Sequence, residues 1–191
     1  NGRFHNHLIP ENFKLETQTY KFLKIVPNVS TTTTGGDSEP HYKFDIEDNE
    51  ENATVFAKEE NDDGSISLKV YDENSKTFRY FYINWTESDK RRSEDNTIQL
   101  KENKDNANKL NFIYSKGNTI VIKDSQTNKV MSVDGPGGRY PQSSLYGIGW
   151  VDMPENPRWV RADSVEDFTL RGVYPPLSFK LKTNSNKYIS F

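Results

Sequence analysis

The sequence predicts an all-β protein, on three observations. Only four alanines (Ala53, Ala57, Ala107, Ala162) occur in 191 residues, while Val, Ile, Thr, Phe, Tyr and Trp are plentiful, a balance that favours strands over helices. Ile66, Leu68 and Val70 alternate with Ser67, Lys69 and Tyr71, the period-two signature of a half-buried strand. Asp63-Gly64 lies between that run and Thr54–Ala57, and Asp-Gly between two strand-like runs is a strong hairpin signal because Gly accepts a positive φ. Apolar residues make up only 32% of the chain, which raises the question of disorder. Leu, Ile, Val and Phe nevertheless exceed a fifth of the chain, aromatics make up 13% and the net charge is only -3, so a folded domain with a polar surface is expected.

The elements follow in order. Residues 1–12 are expected to be a mobile terminus. Strands are predicted at Phe13–Leu15, Tyr20–Val26, Tyr42–Ile46, Thr54–Ala57, Ile66–Val70 and Thr77–Trp85. More follow at Thr97–Lys101, Leu110–Tyr114, Thr119–Lys123, Lys129–Val133, Phe168–Arg171 and Ser178–Lys182. Lys116-Gly117-Asn118 reads as a turn. A single helical turn is expected at Asp163–Phe168, with Asp163 or Ser164 as N-cap. Residues 30–40 form a polar loop, and 86–109 is dense in charge and Asn. Strand patterns of the same character resume on both sides of each, so residues 1–191 are read as one domain.

A hairpin recurs along the chain. Phe13-Lys14-Leu15 leads through a polar turn to Lys21-Phe22-Leu23, and Leu68-Lys69-Val70 leads to Lys76-Thr77-Phe78. Val121-Ile122-Lys123 leads to Lys129-Val130-Met131, and Phe179-Lys180-Leu181 leads to Lys187-Tyr188-Ile189. The near-regular spacing suggests one supersecondary unit used about three times, with the last strand closing against the first. The third copy, Thr119 to Gly135, resembles the repeat hairpin of β-trefoil proteins of the fascin and fibroblast-growth-factor kind: an apolar strand, a Thr/Asn turn, a Lys, and an apolar strand ending in Asp-Gly. Phe179–Phe191 resembles the same hairpin. The resemblance implies a β-trefoil or a related closed hairpin assembly, with long loops as in plant Kunitz-type inhibitors. A two-sheet β-sandwich is the alternative. The Gln-x-Trp motif of ricin-type lectin repeats is absent.

Several functions are excluded or disfavoured by composition. No apolar run approaches the ~18 residues of a transmembrane helix, so membrane insertion is not expected. There is no Cys, so disulfides, Cys-ligated zinc and thiol catalysis are ruled out. Scattered Lys and Arg give no basic stripe for nucleic acid. The sequons at Asn28, Asn52 and Asn84 occur at about chance frequency. A secreted or cell-surface setting is favoured over the cytosol.

His5 and His7 lie near the N-terminus and His41 lies far off in a loop, so three converging metal ligands are not expected. The acidic stretch Asp45–Asp63 imitates part of a calcium loop at Glu59-x-Asn61-x-Asp63-Gly64. It starts on Glu and carries Val70 where a bidentate Glu belongs. A solvated, charged hairpin is expected, with no metal and no cofactor. No Gly-x-Ser-x-Gly occurs and no His lies in a strand-like stretch, so catalysis is not expected.

The most informative segment is Asp134–Tyr174, which holds a long loop at 135–160 rich in Gly, Pro and aromatics. Arg139, Tyr140, Tyr146, Trp150 and Trp159 are its candidate ligand-binding residues, because Tyr and Trp anchor binding sites and stack on sugar rings. The function expected is non-catalytic, lectin-like recognition of a protein or glycan surface. A protease inhibitor presenting a stiff loop at Pro154–Pro157 is the alternative, and a hydrolase is the third.

Overall fold

The computed structural model describes residues 3–27, 39–83, 98–134, 147–152, 166–174 and 185; within 132–134 and 147–152 only the backbone is considered. All regular structure in these residues is β-strand or short 3-10 turn. Twelve strands join one antiparallel sheet. They are β1 (Asn12–Glu16), β2 (Phe22–Pro27), β3 (Tyr42–Glu47), β4 (Phe56–Glu60), β5 (Ile66–Asp72) and β6 (Thr77–Ile83). The chain continues with β7 (Ile98–Lys101), β8 (Leu110–Tyr114), β9 (Ile120–Asp124), β10 (Lys129–Asp134), β11 (Gly147–Asp152) and β12 (Thr169–Gly172). No helix of the described residues is long and apolar enough to cross a membrane.

The strands recur in fours. In each set the first strand pairs back to the fourth near the start of both: Phe13↔Phe56, Ile66↔Leu110 and Ile120↔Phe168. All six of these side chains are fully buried, which places them at the centre of the core. The fourth strand of one set then pairs with the first of the next, β4 with β5 and β8 with β9. β12 pairs with β1 from Phe13↔Gly172 to Glu16↔Thr169, so the circuit of pairings returns to its origin. The second and third strands of each set form the ladders β2/β3, β6/β7 and β10/β11. Rings of Phe13, Phe44, Phe56, Phe81 and Phe112 lie 5.8–6.0 Å apart centroid to centroid along the core.

The three described copies of the sequence hairpin are β1/β2, β5/β6 and β9/β10, and their turns share one device. A buried acid, Glu16, Asp72 or Asp124, stands four residues before a residue with positive φ: Tyr20, Lys76 or Asn128. Asp124 accepts the Thr127 backbone N–H at 3.1 Å and its hydroxyl at 2.6 Å, and Asp72 accepts the Asn74 N–H and the Ser75 hydroxyl. In the first turn Thr17 caps the turn, its hydroxyl oxygen accepting Lys21 N–H at 3.3 Å, while Glu16 turns to Arg171 at 3.5 Å. The fourth sequence copy lies outside the described residues.

Several expectations shift. β2 starts at Phe22, not Tyr20, because the left-handed backbone of Tyr20 belongs to the turn. β4 runs Phe56–Glu60, two residues later than the Thr54 start. Gly147–Asp152, read as loop, is a strand whose six residues pair with Lys129–Asp134. The expected helical turn does not extend through Phe168. That residue exchanges two 2.8 Å backbone hydrogen bonds with Ile120, and residues 163–165 lie outside the described set. Ser178–Lys182, Asn84, Trp85 and residues 30–38 also lie outside it. In the segment 3–12, Phe4 N–H donates to Phe112 O, Ile9 is buried in the core, and the buried Lys58 ammonium donates to Asn6 O at 2.8 Å.

Candidate functional site

Of the residues expected to bind ligand, Trp150 falls in β11, its backbone opposite Met131 of β10. Arg139, Tyr140, Tyr146 and Trp159 lie outside the described residues. Pro154–Pro157 lies outside them too.

The histidines and acids of the sequence also have definite places. His5 and His7 stack at 5.5 Å over a shallow depression, where Arg3 and Asn6 both donate to the Gly64 carbonyl. Asp63 accepts the backbone N–H and the hydroxyl of Ser65. Glu59 accepts the Tyr80 hydroxyl at 2.8 Å and pairs with Lys69 and Lys104 at 3.4 and 3.2 Å. Burial raises the Glu59 carboxyl, but the Tyr80 hydroxyl and the two ammoniums outweigh it and hold it below its ordinary range. Among the described residues, no three His, Asp or Glu side chains converge as a metal site.

A different set of side chains converges in a cleft of about 440 Å³. One wall is Pro40 and Tyr42, where the chain enters β3. The floor is the β5/β6 turn, and the far wall is the end of β7 and the 3-10 turn Lys104–Asn106. That turn forms because Asn103 caps it, accepting Asp105 N–H at 3.0 Å through its side chain. Asp72 is the hub. Its Oδ1 accepts the Tyr42 hydroxyl at 2.8 Å and Asn74 N–H at 3.2 Å, and its Oδ2 accepts the Ser75 hydroxyl at 2.8 Å. Arg79 stands 3.6 Å from Asp72 Oδ2, donates to the Ser75 hydroxyl at 3.0 Å and reaches Glu102 at 3.6 Å. Asn74 donates its amide to the Tyr42 hydroxyl at 3.0 Å.

The electrostatics follow from this wiring. Burial alone would raise the Asp72 carboxyl, but the donors from Ser75, Tyr42 and the turn backbone prevail and hold it below the usual carboxylate range. Burial, and next its bond to Asp72, push the Tyr42 phenol above its ordinary value. Asp72 therefore stays ionised and Tyr42 stays protonated, each fixing the other. Such a network is rigid, and a rigid array of donors and acceptors beside an aliphatic wall (Leu100, Pro40) suits a ligand rich in hydroxyls. In the sequence, Asp72, Asn74 and Ser75 are only the polar link between Leu68-Lys69-Val70 and Lys76-Thr77-Phe78. The acid recurring four residues before each left-handed position was the network's one local trace.

No family model matches the chain, and a search of curated proteins finds no relative.

Proposed function

We propose that the chain is a β-trefoil domain acting in non-catalytic, lectin-like recognition of a glycan, bound in the cleft of Tyr42, Asp72, Asn74, Arg79 and Asn106. The trefoil reading is supported by the threefold pairing of fully buried residues and by the return of the pairings from β12 to β1. The recognition reading is carried by one observation: a preorganised polar network faces a cleft of small-molecule size. The aromatic stretch with Arg139, Tyr140, Tyr146, Trp150 and Trp159 is the rival seat of the same function.

A glycan array probed with wild type, Asn74→Ala, Asn106→Ala, Tyr140→Ala and Tyr146→Ala tests both. The cleft reading expects at least tenfold weaker binding, about 1.4 kcal/mol, for one or both asparagine variants and none for the tyrosine variants. The reverse pattern moves the site to the aromatic stretch. Wild-type protein that binds no glycan overturns the reading.

A further inference from the structure

Tyr20 stands at a left-handed turn position between β1 and β2. Its φ of 62° is set by the turn, since Lys76 and Asn128 adopt 55° and 59° at the corresponding places. Asn adopts that backbone at less cost than a bulky side chain does, so a Tyr there carries local strain. Burial does not compensate, because Tyr20 is 81% exposed, and no ring stacks on it among the described residues. The turn itself closes through other groups: Thr17 N–H donates to Lys21 O at 2.7 Å, and Tyr20 N–H to Thr17 O at 3.0 Å.

Tyr20 borders a groove of about 440 Å³ between its own turn and the β8/β9 turn. Gln18 and Thr19 stand beside it, and Lys116, Thr119 and Asp167 stand opposite. The groove is built and not merely a gap. Gln18 N–H donates to Glu166 Oε1 at 2.7 Å, and Glu166 is 1% exposed. Asp167 accepts the Ser115 hydroxyl at 2.5 Å and lies 3.7 Å from the Lys116 ammonium. Lys116 and Asp167 offset each other's charge, so the groove does not select an ion. One exposed ring beside hydroxyls, an amide and a paired carboxylate suits a pyranose: ring C–H groups against the aromatic face, hydroxyls to the polar wall. Thr17, Thr19, Thr119 and Thr169 line the groove, setting methyl groups and hydroxyls side by side as the mixed faces of a sugar require.

We infer that the groove beside Tyr20 is a binding site for a neutral saccharide, separate from the Tyr42–Asp72 cleft, with the Tyr20 ring as its stacking platform. The two sites share no residue. Saturation-transfer NMR titrations with the neutral methyl glycosides of glucose, galactose, mannose, fucose and N-acetylglucosamine test it, using wild type, Tyr20→Asn, Tyr20→Trp and Asn74→Ala. The expected result is a glycoside bound by wild type, at least tenfold more weakly by Tyr20→Asn, and comparably by Tyr20→Trp and Asn74→Ala. Tyr20→Asn also relieves the backbone, so its Tm should equal or exceed that of wild type, and its loss of binding is then not a loss of fold. Equal binding by Tyr20→Asn overturns the inference, as does a wild type that binds none of the glycosides. If only Asn74→Ala weakens binding, the cleft reading stands and the Tyr20 site falls. Capture of an unglycosylated protein lost in Tyr20→Asn, with every glycoside silent, overturns the saccharide assignment.

Discussion

Among the described residues, the Glu166 carboxyl is shifted furthest from its ordinary range. Burial, aided by the neighbouring charge of Asp167 and opposed by the Gln18 N–H, pushes its carboxyl up to about 7. Unfolded, a Glu titrates near ~4.3, so between those values the fold binds the extra proton and its stability falls as pH rises. Below that window the penalty is absent; above it the penalty is full, on the order of 3 kcal/mol. Glu166→Gln keeps an acceptor for Gln18 N–H and carries no charge. Urea melts should therefore show it equal to wild type near pH 4 and more stable by up to that amount at pH 8. A constant difference across the range would disprove the account. None of this was legible in the sequence, where Glu166 lies within the single helical turn expected at Asp163–Phe168. Its hydrogen-bond donor, Gln18, is 148 residues away.

At the scale of the element, two turn glycines separate conformational strain from crowding. Gly64 and Gly117 both have positive φ, 84° and 62°. A Cβ on Gly64 would come within 3.3 Å of the Arg3 guanidinium, whose group, with Asn6, holds the Gly64 carbonyl; a Cβ on Gly117 meets nothing. Gly117→Ala should thus cost about 1 kcal/mol from backbone strain alone. Gly64→Val should cost more, about 1–3 kcal/mol, because β-branching adds to strain and the Arg3 contact must shift. Thermal melts of the two variants give the comparison, and equal losses would assign both to the backbone. The Asp63-Gly64 hairpin was readable because turn chemistry is local. β11 was not, because Gly147 and Gly149 weaken any strand pattern, and the six-residue ladder to β10 that overrides them is not local.

For the whole molecule, composition made the β class plain, and the spacing of the hairpins marked the recurrence. The hairpin turns marked the pairs β1/β2, β5/β6 and β9/β10, but not the partners distant in sequence, such as β3 with β7 or β5 with β8. The cleft unites residues near 40, 72–79 and 100–106, and each group alone looks like ordinary turn chemistry. The circuit of pairings predicts cooperativity. Deleting residues 168–191 removes β12, the partner of β1, and the bridge to Ile120. The truncated chain should lose a cooperative thermal transition by circular dichroism; a sharp melt near the wild-type Tm would show that β12 is dispensable. The same pairing bears on time. β12 begins about 150 residues after β1 ends. At roughly 5–20 residues per second, β1 waits on the order of 10–30 s beside unfinished neighbours before its last partner exists. Phe13 and Leu15 spend that interval with one flank uncovered, so the nascent chain, more than the finished protein, is where chaperones would find something to hold.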